Sequence, residues 1–410
     1  MKVTVGLFFG GKSTEHEVSV ITGLQAFAAI NKEKYDVVPI YITKENEFYT
    51  GESVAKIEEY ADIPSLLKKS MRVMLVNDSS RVKICELSKK GYWKAAKPKR
   101  AITLDVAFPA VHGTNVEDGA LQGFFETLGL PYAGCDVISS AIGMDKAATK
   151  AILKQAGVSV LDCVAFTAKR FIDSQNAVVS EVEELGFPVI VKPVNLGSSI
   201  GIKLARDKAE LVEAIEHALL FAEKVIVERA IVNLKEINCA VLGDKDCAEA
   251  GECEEPVSSN EILNFEDKYC NPDGKGGAKS AGGGMASLKR KIPADISDSQ
   301  RDEIRALAVK AFKALGCGGV ARIDFLLDLD EKTDTGYRVW FNEINTIPGS
   351  LAFYLWEPVG VAYPELLDRI IKLALKRERE KANLSFTFDN NILSNFKKGG
   401  KSGDKFGGKS

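Results

Sequence analysis

Two short segments late in the chain carry the side chains best suited to catalysis or metal binding. One is Arg-Ile-Asp ending at Asp324, and the other is Asn-Glu-Ile-Asn ending at Asn345. Each lies in a run with strand character, and the polar residues between the runs predict a β-hairpin loop. Alternate residues of a strand share a face, so Arg322 and Asp324 lie together, as do Glu343 and Asn345. Pairing the strands therefore gathers two carboxylates, an amide oxygen and a guanidinium on one surface.

An all-oxygen set of this kind suits Mg²⁺, which usually takes one or two protein carboxylates and completes its shell with phosphate oxygens and waters. Arginine cannot ligate a cation, so we expect Arg322 to bind a phosphate or a developing oxyanion. The alternative is a solvated hairpin with an ordinary salt bridge. The apolar neighbours Val339, Phe341 and Ile344 favour the metal site over that alternative.

Composition narrows the class of protein. A chain of 410 residues with 45% hydrophobic content can bury substantial cores and predicts two or three domains. The net charge of −3 gives no reason to expect binding to nucleic acid or to a membrane surface. No apolar run approaches a membrane span, and the eight cysteines lack metal-binding spacing. We therefore expect a cytoplasmic protein with free thiols and small-molecule partners.

The order of elements predicts an α/β fold. Strand-like and helix-like segments alternate up to residue 139, which favours a mainly parallel, doubly wound sheet covered by helices. The later pattern is of the α+β type, and we predict parts at 1–139, 140–230 and 231–380 with a disordered tail at 381–410. Strands are predicted at residues 3–9, 37–42, 106–108, 187–192, 225–228, 239–242, 320–327 and 337–345, and helices at 18–30, 121–128, 139–155, 207–220 and 298–315.

Two segments could bind phosphate. Residues 6–13 formally match the phosphate-loop pattern, but Gly6 lies inside a predicted strand and large apolar residues follow it, so we interpret the match as coincidence. Lys192 ends a strand and precedes a Gly/Ser loop whose N–H groups could receive phosphate oxygens. Glu228 ends another apolar run and could hold adenine or ribose hydroxyls. A simple turn and an exposed glutamate are the alternatives.

Two polar clusters follow strands of the first part, where ligands of open α/β sheets collect. Glu15 lies in the first cluster and could bind an ammonium group, or only favour a helix N-terminus. His112 opens the second cluster and could orient a substrate, or have no chemical role.

Taken in order, these segments resemble the D-alanine–D-alanine ligases of the ATP-grasp superfamily. The resemblance covers residues 3–380 and implies a doubly wound parallel-sheet domain followed by an ATP-grasp module of two subdomains. It also implies an ATP-dependent activity that joins two D-alanines through an acyl phosphate for peptidoglycan precursor synthesis. The matching segments are residues 15–19 (EHEVS), 112–119 (HGTNVEDG), 144–146 (MDK), 192–193 (KP), 197–199 (GSS), 268–269 (KY), 322–324 (RID), 342–345 (NEIN) and 348–349 (PG).

The resemblance assigns nucleotide and metal roles to matching positions. Lys146 and Lys192 are expected to grip the ATP phosphates, and Glu228 and Glu236 to contact adenine and ribose. The other residues expected at the nucleotide are Ser199 and Lys268. The expected ligands of two Mg²⁺ ions, with Mn²⁺ as an alternative metal, are Asp324, Glu343 and Asn345.

The resemblance also assigns substrate roles. Glu15 is expected to anchor the ammonium of the first D-alanine, and Ser198 with Tyr269 to complete a hydrogen-bonded trio that closes a loop over the site. Arg322 and the Gly349 N–H are expected to form an oxyanion hole. The implied assembly is a homodimer.

The chain departs from the family after Gly349, where many members carry a Thr-Ser-His-Ser-like stretch whose last serine binds the second substrate's carboxylate. Tyr354 falls near that position, and we expect Tyr354, Leu355 and His112 to contact substrate. The identity of the acceptor is therefore open. Tyr269 favours D-alanine over D-lactate, and D-serine or another acceptor is the alternative. A non-catalytic ATP-binding regulator is a further alternative.

Overall fold

The computed structural model describes residues 2–79, 81–87, 101–197, 200–231, 233–256, 290–329 and 333–385. Within them the chain forms three β-sheets with helices packed against them. The predictions for Ser198, Ser199, Lys268 and Tyr269, and for most of the tail, lie outside the described residues.

The first sheet has the strand order β6-β5-β4-β3-β2-β1-β7 in the described residues. Strand β1 lies inside this sheet, is buried on both faces and pairs in parallel with β2 and β7, as a continuous apolar run predicts. The predicted α/β class is confirmed. The sheet also continues through four antiparallel strands, β3 to β6, that the sequence analysis did not predict. The elements are β1 (Val3–Gly10), α1 (His16–Ala29), β2 (Tyr35–Ile42), β3 (Phe48–Thr50), α2 (Ile63–Lys69), β4 (Met71–Asp78), β5 (Arg81–Glu86), β6 (Ala101–Leu104), β7 (Val106–Pro109) and α3 (Ala120–Leu128).

The second sheet is antiparallel, with the order β10-β9-β11-β8. Two helices, α6 and α7, pack on it through an apolar core that includes Val191, Val227 and Ile215. The elements are β8 (Cys163–Thr167), α6 (Ala168–Glu183), β9 (Val189–Pro193), β10 (Lys203–Ala205), α7 (Lys208–Ala218) and β11 (Lys224–Arg229).

The single helix predicted at residues 139–155 is wrong, because the structure has two helices there: α4 (Val137–Met144) and α5 (Lys146–Gln155). Asp145 leaves the helical conformation between them, and its carboxylate accepts a hydrogen bond from the Ala148 N–H. Aspartate is a favoured N-cap residue for this reason. The break places Lys146 in the first turn of α5.

The third sheet has the order β14-β13-β12-β15-β16, and all its pairings are antiparallel. The predicted hairpin of β15 and β16 is confirmed, and α8 and α9 both pack on β15, which is buried along its whole length. The elements are β12 (Leu234–Gly243), β13 (Ala248–Pro256), β14 (Arg290–Lys291), α8 (Asp298–Ala314), β15 (Gly319–Asp328), β16 (Arg338–Asn345) and α9 (Tyr363–Lys381).

Helix α1 lies directly against β1 because Gly23 has no side chain. A Cβ atom added at Gly23 would lie 2.3 Å from the Cβ of Phe9, whose ring is fully buried. Protein interiors pack at crystal-like density, so neither element can move away freely. This close approach sets the position of the residues that follow the first strand.

We expect Gly23→Ala to lower the free energy of unfolding by about 1–3 kcal/mol, because the added methyl group overpacks the contact with Phe9. Chemical denaturation measures this change. The matched control is Gly123→Ala in α3, where an added Cβ meets no atom within 4 Å. The free energy of unfolding of the control should rise by about 0.5–1 kcal/mol, since alanine is a better helix former than glycine. Equal stability of Gly23→Ala and the wild-type protein would contradict the packing argument.

Candidate active site

The hairpin of β15 and β16 brings together the four residues that the sequence analysis placed on one surface. In the pairing register Arg322 lies opposite Asn345, and Asp324 lies opposite Glu343. The Arg322 Nε and Nη2 atoms donate to the two carboxylate oxygens of Asp324 at 2.7 and 2.6 Å. The Asn345 amide donates to the same carboxylate at 3.1 Å. Arg322 thus forms a bidentate ion pair with Asp324 on the surface where it was expected to face an oxyanion.

Burial dominates the electrostatics of this pair. Burial raises the pKa of Asp324, the Arg322 charge lowers it, and the negative charges of Glu343 and Glu254 raise it again, for a net pKa of about 6. Burial alone would lower the pKa of Arg322, but the Asp324 carboxylate holds it well above its ordinary value. The Arg322 guanidinium therefore stays charged and supplies a fixed positive charge to the site.

The donor set on this surface fits a magnesium–nucleotide complex. Asp324, Glu343 and Asn345 offer oxygen ligands, and in the described residues no group of three or more His, Cys, Asp or Glu side chains forms a metal cage. Mg²⁺ is usually held by one or two carboxylates with phosphate oxygens and waters in the remaining positions. The arrangement therefore fits an ion that arrives with a phosphate-bearing ligand.

Two lysines reach this hairpin from the other side of the site. The Lys146 Nζ lies 3.1 Å from the Glu343 carboxylate and donates to the Leu196 carbonyl at 2.7 Å. The Lys192 Nζ, at the end of β9, donates to the Asn342 side chain at 3.0 Å. Two nearly buried ammonium groups beside this hairpin can bind an anionic ligand such as a polyphosphate.

Glu228 is buried between two lysines. Its carboxylate accepts a hydrogen bond from Lys192 at 2.8 Å and forms an ion pair with Lys150, a residue that the sequence analysis missed. Burial raises the pKa of Glu228, but Lys192 and Lys150 outweigh it and lower the pKa to about 2. Lys150 lies one helical turn after Lys146, so the spacing in α5 was the available signal.

Lys192 keeps its charge despite its burial. Burial lowers the pKa of Lys192, and the carboxylates of Glu228, Glu343 and Glu236 more than reverse that effect. Glu236 on β12 therefore lies within electrostatic range of Lys192. Two of the residues expected at the nucleotide, Glu228 and Glu236, therefore act on the Lys192 ammonium group.

Glu15 lies where three segments meet. It directly precedes α1, and its Oε2 atom lies 3.0 Å from the position that a Cβ at Gly113 would take and 3.4 Å from that at Gly197. Both neighbouring positions are glycines, so the Glu15 carboxylate lies close to the loop after β7 and to the loop after β9. This places Glu15 beside the Gly/Ser loop, as an ammonium anchor at the site requires.

The acceptor-side prediction at Tyr354 falls in a buried polar network. Gly349, Tyr354 and Leu355 lie in one 3₁₀ segment after β16, and both Tyr354 and Leu355 are buried. The Tyr354 hydroxyl lies 3.4 Å from the Glu254 carboxylate, and the Arg290 guanidinium covers the Tyr354 ring at 4.0 Å. Burial, with Glu254 adding to it, raises the pKa of Tyr354 to about 12.

The sequence analysis missed the other members of this network. Glu254 accepts hydrogen bonds from Arg290 at 2.6 Å and from Asn238 at 2.9 Å. Asn238 pairs across the sheet with Asp324, so the network lies directly beside the hairpin. Asn238 follows Glu236 at a spacing of two on β12, which was a weak signal for a shared polar face.

Lys146 at the start of α5 and Lys192 on one antiparallel sheet both reach polar side chains of β16 in a second antiparallel sheet, which is the arrangement expected of an ATP-grasp enzyme. Two family models match the chain: "D-ala D-ala ligase N-terminus" over residues 4–135 and "D-ala D-ala ligase C-terminus" over residues 152–372. The chain therefore belongs to the D-alanine–D-alanine ligase family.

Individual relatives agree with this assignment. The chain is 40% identical over 391 residues to a D-alanine–D-alanine ligase of Thermosipho melanesiensis, covering 95% of this chain and 98% of the relative. It is 40% identical over 388 residues to one of Acetivibrio thermocellus, with 92% and 96% covered.

Solved structures carry the same fold. The D-alanine–D-alanine ligase of Coxiella burnetii superposes with a TM-score of 0.74 at 29% identity, covering 93% of this chain and 96% of that one. The VanG D-Ala:D-Ser ligase of Enterococcus faecalis gives a TM-score of 0.73 at 33% identity, with 91% and 100% covered. Among the described residues of the chain, no helix combines the length and apolar character needed to cross a membrane.

We expect Glu228→Gln to lower the free energy of unfolding at pH 7 by about 3–5 kcal/mol, because it leaves two buried ammonium groups without their anion. Since the folded pKa of Glu228 is about 2, below its ordinary value of 4.5, its contribution is present at neutral pH and is lost as the pH falls below 4.5. The difference in the free energy of unfolding between the variant and the wild-type protein should therefore become smaller as the pH falls below 4.5.

The matched control for this measurement is Glu181→Gln. Glu181 pairs with Arg170 on the surface, where both side chains are 43% exposed, so its loss changes stability by less than about 1 kcal/mol. A Glu228→Gln variant as stable as this control would show that Glu228 does not neutralise Lys150 and Lys192.

Proposed function

We propose that the protein joins two D-alanine molecules in a reaction driven by ATP and Mg²⁺, forming D-alanyl-D-alanine for peptidoglycan precursors. The observation that carries the proposal is the meeting of Lys146 and Lys192 with the Arg322–Asp324 pair at one hairpin. Phosphate-binding cations, metal-binding carboxylates and an oxyanion-binding guanidinium are the three components that carboxylate activation by ATP requires.

Lys146 and Lys192 neutralise the phosphates of ATP, while Glu228 and Glu236 contact the adenine and ribose. Glu228 also holds Lys192 at 2.8 Å, so it orients a phosphate ligand as well. Ser199 and Lys268 complete the proposed nucleotide site. The ligands proposed for two Mg²⁺ ions are Asp324, Glu343 and Asn345. Bound there, the metal neutralises phosphate charge during phosphoryl transfer.

The proposed reaction has two steps. A carboxylate oxygen of the first D-alanine attacks the γ-phosphorus of ATP, which forms an acyl phosphate and releases ADP. The amine of the second amino acid then attacks the acyl carbon, loses a proton and expels inorganic phosphate.

The chain's own residues direct both steps. Glu15 holds the ammonium of the first D-alanine and so positions its carboxylate. Arg322 and the Gly349 N–H stabilise the oxyanion of the tetrahedral intermediate. Ser198 and Tyr269 help to close the site, which excludes water from the acyl phosphate.

The identity of the second amino acid is the finer part of the proposal. We assign the acceptor site to Tyr354 and Leu355, beside His112, and D-alanine is the acceptor most consistent with Tyr269. The alternative acceptor is D-serine, because one structural relative is a D-Ala:D-Ser ligase. The presence of the proposed phosphate- and metal-binding side chains at one hairpin argues against a purely regulatory ATP-binding protein.

The assignment of parts and assembly completes the proposal. We divide the chain at 1–139, 140–230 and 231–380, with each part centred on one of the three sheets, and treat 381–410 as a tail. The protein is proposed to act in the cytoplasm as a homodimer, in keeping with its family.

The test is a ligation assay with product identification by mass spectrometry. With ATP, Mg²⁺ and D-alanine we expect D-alanyl-D-alanine and one phosphate per dipeptide, and no product when the metal is chelated. Equimolar D-serine tests the acceptor, and D-alanyl-D-alanine should remain the main product. Predominant D-alanyl-D-serine would overturn the acceptor assignment. ATP binding without product at any concentration of D-amino acid would overturn the function.

A further inference from the structure

The segment that carries Gly349 has an unfavourable backbone conformation. Ser350, Leu351 and Ala352 follow Gly349 with φ of 53°, 53° and 49°, in the left-handed region. Residues with a Cβ atom pay about 1–2 kcal/mol each for that conformation. Such a segment persists only where surrounding contacts hold it, and these conformations concentrate at functional sites.

Glu117, from the loop after β7, holds the start of this segment. One oxygen of its carboxylate accepts hydrogen bonds from the Ile347 N–H at 2.9 Å and the Thr346 hydroxyl at 3.3 Å. The other oxygen accepts from the Gly113 N–H at 3.1 Å. Glu117 is 7% exposed, so these bonds form away from water.

His112 and Thr22 hold both sides of Gly349 through one chain of hydrogen bonds. The His112 Nδ1 atom lies 2.8 Å from the Ile347 carbonyl, which can only accept, so Nδ1 carries the proton. Nε2 therefore accepts, and the Thr22 hydroxyl donates to it at 2.8 Å. The same hydroxyl accepts from the Ser350 N–H at 3.1 Å.

The charge state of His112 agrees with this chain of donors. Burial lowers the pKa of His112, the hydrogen bond to Ile347 raises it and the Arg322 charge lowers it, for a net pKa of about 4. The ring is neutral at pH 7, so one of its nitrogens donates and the other accepts. Both ring nitrogens are engaged with the protein, and the ring orients backbone in this structure.

We infer that Glu117, His112 and Thr22 are positioning residues that fix the backbone on both sides of Gly349 and so direct its N–H toward the developing oxyanion. The inference rests on the proposed function, in which that N–H stabilises the tetrahedral intermediate. It gives Thr22 and Glu117 roles in the second step of the reaction. Thr22 lies next to Gly23, so the close packing of α1 on β1 sets its position too.

Thr22 offers the sharpest test, because valine has its shape without its hydroxyl. Thr22→Val removes both the donor to His112 and the acceptor for the Ser350 N–H. Displacing a catalytic group slightly can lower the rate about 100-fold. We expect kcat for dipeptide formation to fall about 10–100-fold, while the KM for ATP and for the first D-alanine changes less than about threefold.

Two controls separate positioning from packing. Thr22→Ser keeps the hydroxyl and should recover most of kcat. Thr50→Val removes a buried hydroxyl from β3 of the first sheet, on which α1 packs, where Thr50 donates to the Pro39 carbonyl at 2.6 Å. This variant should leave kcat unchanged. Wild-type kcat in Thr22→Val, or equal losses in Thr22→Ser and Thr22→Val, would overturn the inference.

Glu117→Gln carries the test if Thr22→Val does not fold, because the amide keeps the shape but has only one accepting oxygen for the Ile347 and Gly113 N–H groups. It should lower kcat with little change in either KM, and a wild-type kcat would overturn the inference. The wild-type protein is assayed alongside. Absence of ligation by the wild type contradicts the proposed function itself, whereas ligation by wild type and variants alike contradicts only the positioning roles.

Discussion

The structure depends on the neutralisation of charges that are buried between its sheets. Moving one ion out of water costs several kcal/mol in a real protein, even after relaxation. Four buried charged residues each form an ion pair with an oppositely charged group: Arg322, Lys150, Lys192 and Glu228. The geometry of the candidate site is therefore set by a requirement of folding as much as by chemistry.

This requirement ties separate parts of the chain together. The Lys146–Glu343 pair and the Lys192–Asn342 hydrogen bond join the second part to β16, and the Glu117 contacts join the first part to the segment after β16. The hairpin of β15 and β16 is the common partner. A strand register shifted by one residue would turn its polar side chains to the other face and break the contacts with Lys146 and Lys192. The register that positions the site also holds the parts together.

The features that depend on the local spacing of apolar and polar residues could be predicted from the sequence. Period-two alternation placed Arg322 and Asp324 on one face, and the hairpin followed from the loop between two apolar runs. The formal phosphate-loop match proved to lie mostly inside β1, as its large apolar residues indicated. The helix break at Asp145 was missed although its signal was local. The helical spacing of apolar residues on both sides of Asp145 suggested one continuous helix and outweighed the preference of aspartate for N-cap positions. The short strands β3 and β6 were missed because three or four residues carry little periodicity.

Residues whose partners lie far along the chain could not be predicted. Glu117 bonds to Ile347 across 230 positions, and Arg290 reaches Glu254 only after β13 and β14 pair. In sequence Arg290 and Glu254 resemble ordinary charged surface residues, and Glu117 lies in a matching segment without a role assigned to it. The fold alone turns Thr22, Glu117 and Glu254 into members of the site, since their roles come from what they contact and not from what flanks them.

The proposed reaction depends above all on activation of a carboxylate by phosphate transfer at this site. The most direct test follows oxygen-18 from the carboxylate of labelled D-alanine during turnover with unlabelled ATP. An acyl phosphate passes one carboxylate oxygen to the phosphate that leaves when the amide forms. We predict one oxygen-18 atom in each inorganic phosphate released with dipeptide. Unlabelled phosphate accompanying dipeptide formation would contradict the proposed chemistry.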